Sequence, residues 1–178
     1  FTPLPAFMSQ ASSSGGLEIP EYLIFWIYLS YYAVSVIGYT FAGNLIDKQG
    51  NRKILFIGVT IRIVIYLVFA IFSIFTAIAA GTPFGYITII LLLIFSGISY
   101  SLMNVALQNT LPRLITKNIG EVLALYSIIA GISSIVGSFF SGLIVENPGL
   151  GYLWLFIFSV IFAGIAFAIY FKAVKKGS

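Results

Sequence analysis

Gly43-Asn44-Leu45-Ile46-Asp47-Lys48-Gln49-Gly50-Asn51-Arg52-Lys53 gathers one Asp, two Lys and one Arg into eleven positions, in a chain of 178 residues of which 8% are charged. Long apolar runs flank it, at 22–45 and 54–80. A bilayer crossing takes about 20 apolar residues as a helix. The stretch therefore reads as a tight, charged turn between two membrane spans. Gly50 suits such a reversal, because glycine takes a left-handed backbone without a Cβ penalty.

Three further windows, 86–108, 119–145 and 151–172, are also long and apolar enough to span. The chain is 60% hydrophobic with a mean hydropathy of +1.09, more apolar surface than one water-soluble core can hide. Continuous runs of this length lack the in/out alternation of a membrane barrel. The expected fold class is an all-α membrane protein, a helical bundle with five full spans. Residues 1–8 (FTPLPAFM) are apolar but too short to cross, and read as the end of a preceding sixth helix. The connectors at 9–21, 47–53, 81–85, 109–118 and 146–151 carry Gly, Pro, Ser and Asn breakers. No signal peptide is visible at Phe1, and the chain is expected to be part of a longer protein.

If every window spans, Lys48, Arg52, Lys53, Arg113, Lys117, Lys172, Lys175 and Lys176 fall at one end. Glu18, Glu21 and Glu146 fall at the other, which carries no Lys or Arg. Lys and Arg in short loops mark the cytoplasmic face. Residues 47–53, 109–118 and the C-terminus are thus expected inside, and 9–21, 81–85 and 146–151 outside, a plasma membrane. The net charge of +4 is a topology signal, and no basic patch interleaved with exposed aromatics points to nucleic acid. The bilayer itself is the expected partner. With no Cys and no His, neither a disulfide nor a Cys/His metal site or cofactor is expected. An intramembrane hydrolase needs a nucleophile and base or metal ligands, so the chain does not read as an enzyme. A membrane-embedded enzyme or a non-transporting scaffold is the alternative class.

The 43–53 stretch resembles the G-x-L-x-D-R-x-G-R-K/R signature of the major facilitator superfamily. Gly43, Leu45, Asp47, Gly50 and the terminal basic Arg52 match it, while Lys48 and Asn51 stand where Arg is more usual. Lys keeps the charge but loses the planar fork. The resemblance implies that this is the cytoplasmic loop between the second and third helices of a six-helix half. Residues 1–178 are then one half-domain, helices two to six, and the other half of the same protein is its partner. It implies a secondary transporter of small solutes working by alternating access. It also implies a conformational latch formed by Gly43, Asp47, Lys48, Gly50, Arg52 and Lys53, with Asp47 engaging a helix N-terminus of the opposite half. Asp47 sits poorly at the C-terminal end of its own helix, whose dipole is already negative. Gly43 would let a neighbouring helix approach. The basic residues alternatively form an ordinary solvated loop.

The family's first half often carries an Arg four residues before a Gly in its fourth helix. Here Leu93 stands four before Gly97, and the chain ends soon after its last span. Both favour the C-terminal half. The family's antiporter signature in a fifth helix contains Gly-Pro, and Gly137-Ser138 stands in its place, so antiport is not implied.

Polar groups within spans usually face a cavity or a partner helix. Gly97, Tyr100, Ser101, Asn104 and Gln108 share one helical face. The resemblance makes this a cavity-lining fourth helix, so Tyr100 and Asn104 are candidate substrate contacts, with interhelical bonding as the alternative and Gln108 more simply at the interface. Tyr28, Tyr32, Ser35 and Tyr39 share another face, from which Tyr32 and Ser35 join the candidate cavity, or else the tyrosines anchor at the interface. Arg62, the one charge inside a span, either snorkels to the headgroups or meets a buried partner in the other half. Ser133, Gly137 and Ser141, like Ser134, Ser138 and Gly142, recur at four-residue steps that suit close helix packing. Asn118 to Glu121 reads as a capping box, which makes Glu121 structural. Apart from Glu121 at the head of its span, no span holds Asp, Glu or His, so proton carriers, if any, lie in the other half.

Overall fold

The computed structural model describes residues 4–9, 17–75, 80–114, 119–146 and 151–176. They form six helices: α1 (Leu4–Ser9), α2 (Glu21–Gln49), α3 (Asn51–Ile74), α4 (Pro83–Leu114), α5 (Ile119–Glu146) and α6 (Gly151–Lys176). No strand occurs among the described residues. All but α1 are long and apolar enough to cross a membrane. Helices are the form that lets an apolar segment satisfy its own backbone donors and acceptors in lipid.

The charged turn is shorter than its sequence suggests. α2 runs through Gln49 and α3 starts at Asn51, so Gly50 alone makes the reversal, and its N–H bonds Ile46 O at 2.8 Å. Its φ of 85° and ψ of 151° lie outside the left-handed helical region expected from the sequence, in a region essentially reserved for glycine. α4 also outruns its window. It continues through Leu114 into the expected 109–118 connector, and Thr110 Oγ1 bonds back to Ala106 O at 2.7 Å. α3 instead stops at Ile74, where the Phe75 N–H turns back to Phe72 O; residues 76–79 of the expected 54–80 span lie outside the described residues.

Two tertiary hydrogen bonds show which connectors share an end. Gly81 N–H donates to Leu17 O at 3.1 Å, joining the segment before α2 to the α3–α4 turn. Asn51 Nδ2 donates to Thr110 Oγ1 at 2.7 Å, joining the α2–α3 turn to the far end of α4. α2, α3 and α4 therefore alternate in direction.

α4 is the central element, packed between α2 and α3, while α3 also packs along α6. Near the Gly81 end, Phe7, Tyr31, Phe69, Leu93, Tyr152 and Phe156 are buried together, and the Phe69 and Phe156 rings stack at 5.0 Å. Near the turn, Ala42, Ile46, Leu55 and Ala106 form a second cluster. α5 is the least attached: 6% of its span is buried, against 44% for α4.

The close approaches fall where sequence did not place them. A Cβ on Gly97 would lie 2.9 Å from Tyr31 O, and one on Gly58 2.8 Å from Met103 Cγ. Gly43, expected to admit a neighbouring helix, would meet nothing within 4 Å, and the same holds for Gly137 and Gly142. Ser133 is exposed, and Ser141 is buried but spends its hydroxyl on Ser138 O of its own helix. A four-residue step of small side chains permits close packing, yet within this chain the tight seams are those of α4.

Candidate functional site

Three helices bring neutral polar groups together at the rim of the α2–α4 contact. Asn104 of α4 donates through Nδ2 to Tyr39 Oη of α2 at 2.7 Å. Tyr126 of α5 reaches Asn104 Oδ1 at 3.5 Å, a long bond. Tyr100, one turn before Asn104, sets its ring edge-on to Tyr39 with centroids 6.5 Å apart, and remains 42% exposed. All four are half-buried or partly exposed. The amide is thus held in orientation by two phenols while an exposed aromatic surface adjoins it.

The face seen in sequence divides in space. Gly97 and Ser101 are buried against α2, where Ser101 Oγ lies 2.8 Å from Ser35 O. Gln108 is exposed. Ser35, expected beside the cavity, is buried at the α2–α4 seam and donates to Tyr31 O at 2.8 Å. The reason is Gly97: without a Cβ, its backbone settles over Ser35 and closes that position. Tyr32 lies on the open side, 61% exposed, with its ring edge-on to Tyr31 at 5.1 Å. Tyr28 is turned inward instead, and its hydroxyl is buried with no hydrogen-bond partner among the described residues. Tyr126 was not singled out from sequence; a lone Tyr in a span of small and aliphatic residues was the available signal.

Arg62 does not snorkel. It is 7% exposed and donates from Nη1 to Ser96 Oγ of α4 at 2.8 Å. The Tyr31 hydroxyl also interacts with the guanidinium, which lies 5.8 Å from the Tyr66 ring centroid. Ser99 Oγ adds a bond to Gly58 O at 2.9 Å. The α2–α3–α4 contact is therefore fastened by serines and an arginine through neutral partners, all supplied by this chain.

At the turn, Asp47, Lys48, Arg52 and Lys53 are exposed. Asp47 lies in the last turn of α2 and makes no hydrogen bond or ion pair among the described residues. Asn51 Oδ1 is buried without a partner there. Glu121 is exposed in the first turn of α5; the capping partner expected at Asn118 lies outside the described residues. Among the described residues no three His, Cys, Asp or Glu side chains stand together as metal ligands.

The described residues thus combine five helices long and apolar enough to span a membrane, a glycine reversal beside an exposed Asp, and a neutral polar rim. The family model of the Major Facilitator Superfamily matches residues 2–178. The chain belongs to that superfamily. No curated protein and no solved structure matches it significantly. As a member of a superfamily of transporters, it is a multi-pass membrane protein whose apolar helices are transmembrane. Its Gly43–Lys53 reversal joins two of those helices, in keeping with the superfamily loop it resembles.

Proposed function

We propose that the chain is the C-terminal half of a secondary transporter that carries small solutes by alternating access, with residues 47–53 on the cytoplasmic side of a plasma membrane. Its work is transport rather than catalysis. The carrying observation is the Asn104 amide held between Tyr39 and Tyr126 at the junction of α2, α4 and α5. Polar groups in a membrane bundle that are neither lipid-facing nor fully used in packing mark a solute path. In this reading Tyr100 and Tyr32 supply aromatic surface, and Asn104 supplies a donor and acceptor pair. Leu93, in place of an Arg before Gly97, favours the C-terminal half. The Lys/Arg asymmetry favours the stated orientation.

Asn104→Leu in the complete transporter should abolish or sharply lower uptake in proteoliposomes, while membrane insertion and the unfolding midpoint change little. Interhelical hydrogen bonds in membranes are worth about 0.6 kcal/mol on average. Tyr126→Phe should lower uptake less, since its bond is long. Normal uptake by Asn104→Leu would return Asn104 to a packing role.

A further inference from the structure

We infer that Leu17–Ile19 is a strap, closed under backbone strain, that fixes α1 against the rest of the bundle and whose opening frees α1 to move. The strap is tied at three points. Leu17 N–H donates to Phe7 O at 3.0 Å and Ile19 N–H donates to Met8 O at 2.7 Å, both acceptors lying in the last turn of α1. Leu17 O in turn accepts from Gly81 N–H at 3.1 Å. The last carbonyls of a helix have no partner within it, and buried ones are costly to leave unsatisfied. The strap satisfies two of them and ties α1 to the α3–α4 turn.

Side chains hold it closed. Leu17 and Ile19 are buried, as are Phe7 and Met8. The Phe7 ring packs against Tyr152 at 4.8 Å and Phe156 at 5.5 Å, in the first two turns of α6. α1 is therefore gripped by the strap and by α6 together. Glu18, between the two buried anchors, is exposed and has a φ of 56°, the one positive value among the described non-glycine residues. A Cβ in left-handed backbone carries a penalty that glycine escapes. Such strain persists where the surroundings over-determine it, and it collects in segments that switch. Here three hydrogen bonds and two apolar anchors impose it, so Glu18 opposes the closed strap from within. α2, α3 and α4 keep close seams of their own at Gly38, Gly58 and Gly97, which lets the strap open while they stay packed.

The experiment uses the complete transporter in nanodiscs and follows maleimide labelling of Met8→Cys, read on its own peptide by mass spectrometry. Labelling needs no solute, so its outcome is independent of the transport reading. Met8→Cys alone should label slowly. Adding Leu17→Ala and Ile19→Ala should speed it by at least about tenfold, since both apolar anchors are lost. Ser99→Cys, buried between α3 and α4, should stay protected beside the same two alanines, which separates opening of the strap from loss of the fold. Glu18→Gly should slow the labelling of Met8→Cys about fivefold, because glycine takes the strap conformation without the Cβ penalty. Glu18→Ala drops the carboxylate but keeps the Cβ, and should leave the labelling rate unchanged. Three results would overturn the strap. One is no acceleration from the two alanines, meaning that α1 is held without it. Another is equal exposure of Ser99→Cys, meaning that the whole bundle opens. The third is an equal shift from Glu18→Gly and Glu18→Ala, meaning that the carboxylate and not the backbone sets the balance.

Discussion

Arg62 Nη1 donates to Ser96 Oγ at 2.8 Å across the α3–α4 contact, and both residues are buried. A charge inside an apolar bundle is expensive unless its donors are satisfied. Here the satisfaction comes from a serine hydroxyl and from the Tyr31 phenol, with the Tyr66 ring alongside. Arg62 consequently couples three helices of this chain and is withdrawn from headgroups and solvent alike.

Removing the acceptor should hurt more than removing the charge. Ser96→Ala leaves a buried guanidinium N–H unsatisfied, a loss of about 1–3 kcal/mol. Arg62→Met removes the need for partners and fills similar volume, and such replacements of buried charge are often neutral or stabilising. Unfolding midpoints of the purified transporter should rank Ser96→Ala below Arg62→Met. The reverse order would mean that the guanidinium itself holds the helices.

Gly97 and Gly43 should respond oppositely to one added methyl group. At Gly97 the new Cβ would lie 2.9 Å from a backbone oxygen, so α2 and α4 must separate. Overpacking of this kind costs about 1–3 kcal/mol. At Gly43 the Cβ would meet nothing within 4 Å. Gly97→Ala should therefore lower the unfolding midpoint, and Gly43→Ala should leave it unchanged; equal effects would contradict the seam described above.

Gly50 offers a test of backbone geometry. Its φ of 85° with ψ of 151° is unfavourable for every other residue, Asn included. Gly50→Ala and Gly50→Asn should both destabilise, by about 1–3 kcal/mol. Rescue by Asn, measured as a restored unfolding midpoint, would show that the turn instead uses the left-handed helical region.

Asp47 is expected to act on conformational balance. It is exposed at the negative end of α2, so a favourable partner must come from elsewhere, and we expect a helix N-terminus of the opposite half. Such a contact contributes about 0.3–1 kcal/mol when exposed and up to about 2 when partly buried. That energy shifts a two-state equilibrium about two- to thirtyfold. Asp47→Asn should raise labelling of a cysteine placed on the cytoplasmic side of the cavity and slow transport, without reducing expression. Unchanged labelling and rate would leave the loop as a topology signal alone.

The sequence by itself determined five spans, their alternation and the charged reversal between the first two. Those features need only local information: runs of about 20 apolar residues, breakers between them, and which connector carries Lys or Arg. It also singled out Asn104 and Tyr100, because polar groups are rare enough in a span to be conspicuous. What it did not determine was which neighbour each polar group meets. Asn104 needed Tyr126 from a helix 22 residues away. Arg62 found its partner 34 residues on, in α4, where periodicity offered only headgroups or another half. Ser35 left the cavity face because Gly97 drew α4 over it. The small residues of α5 carry a packing spacing with no tight partner among the described residues, whereas Gly38, Gly58 and Gly97 hold the closest contacts. In lipid, apolar burial does not choose between helix faces, since lipid tails are as apolar as the side chains. Shape and a few hydrogen bonds choose instead, and these exist only once the helices are placed side by side.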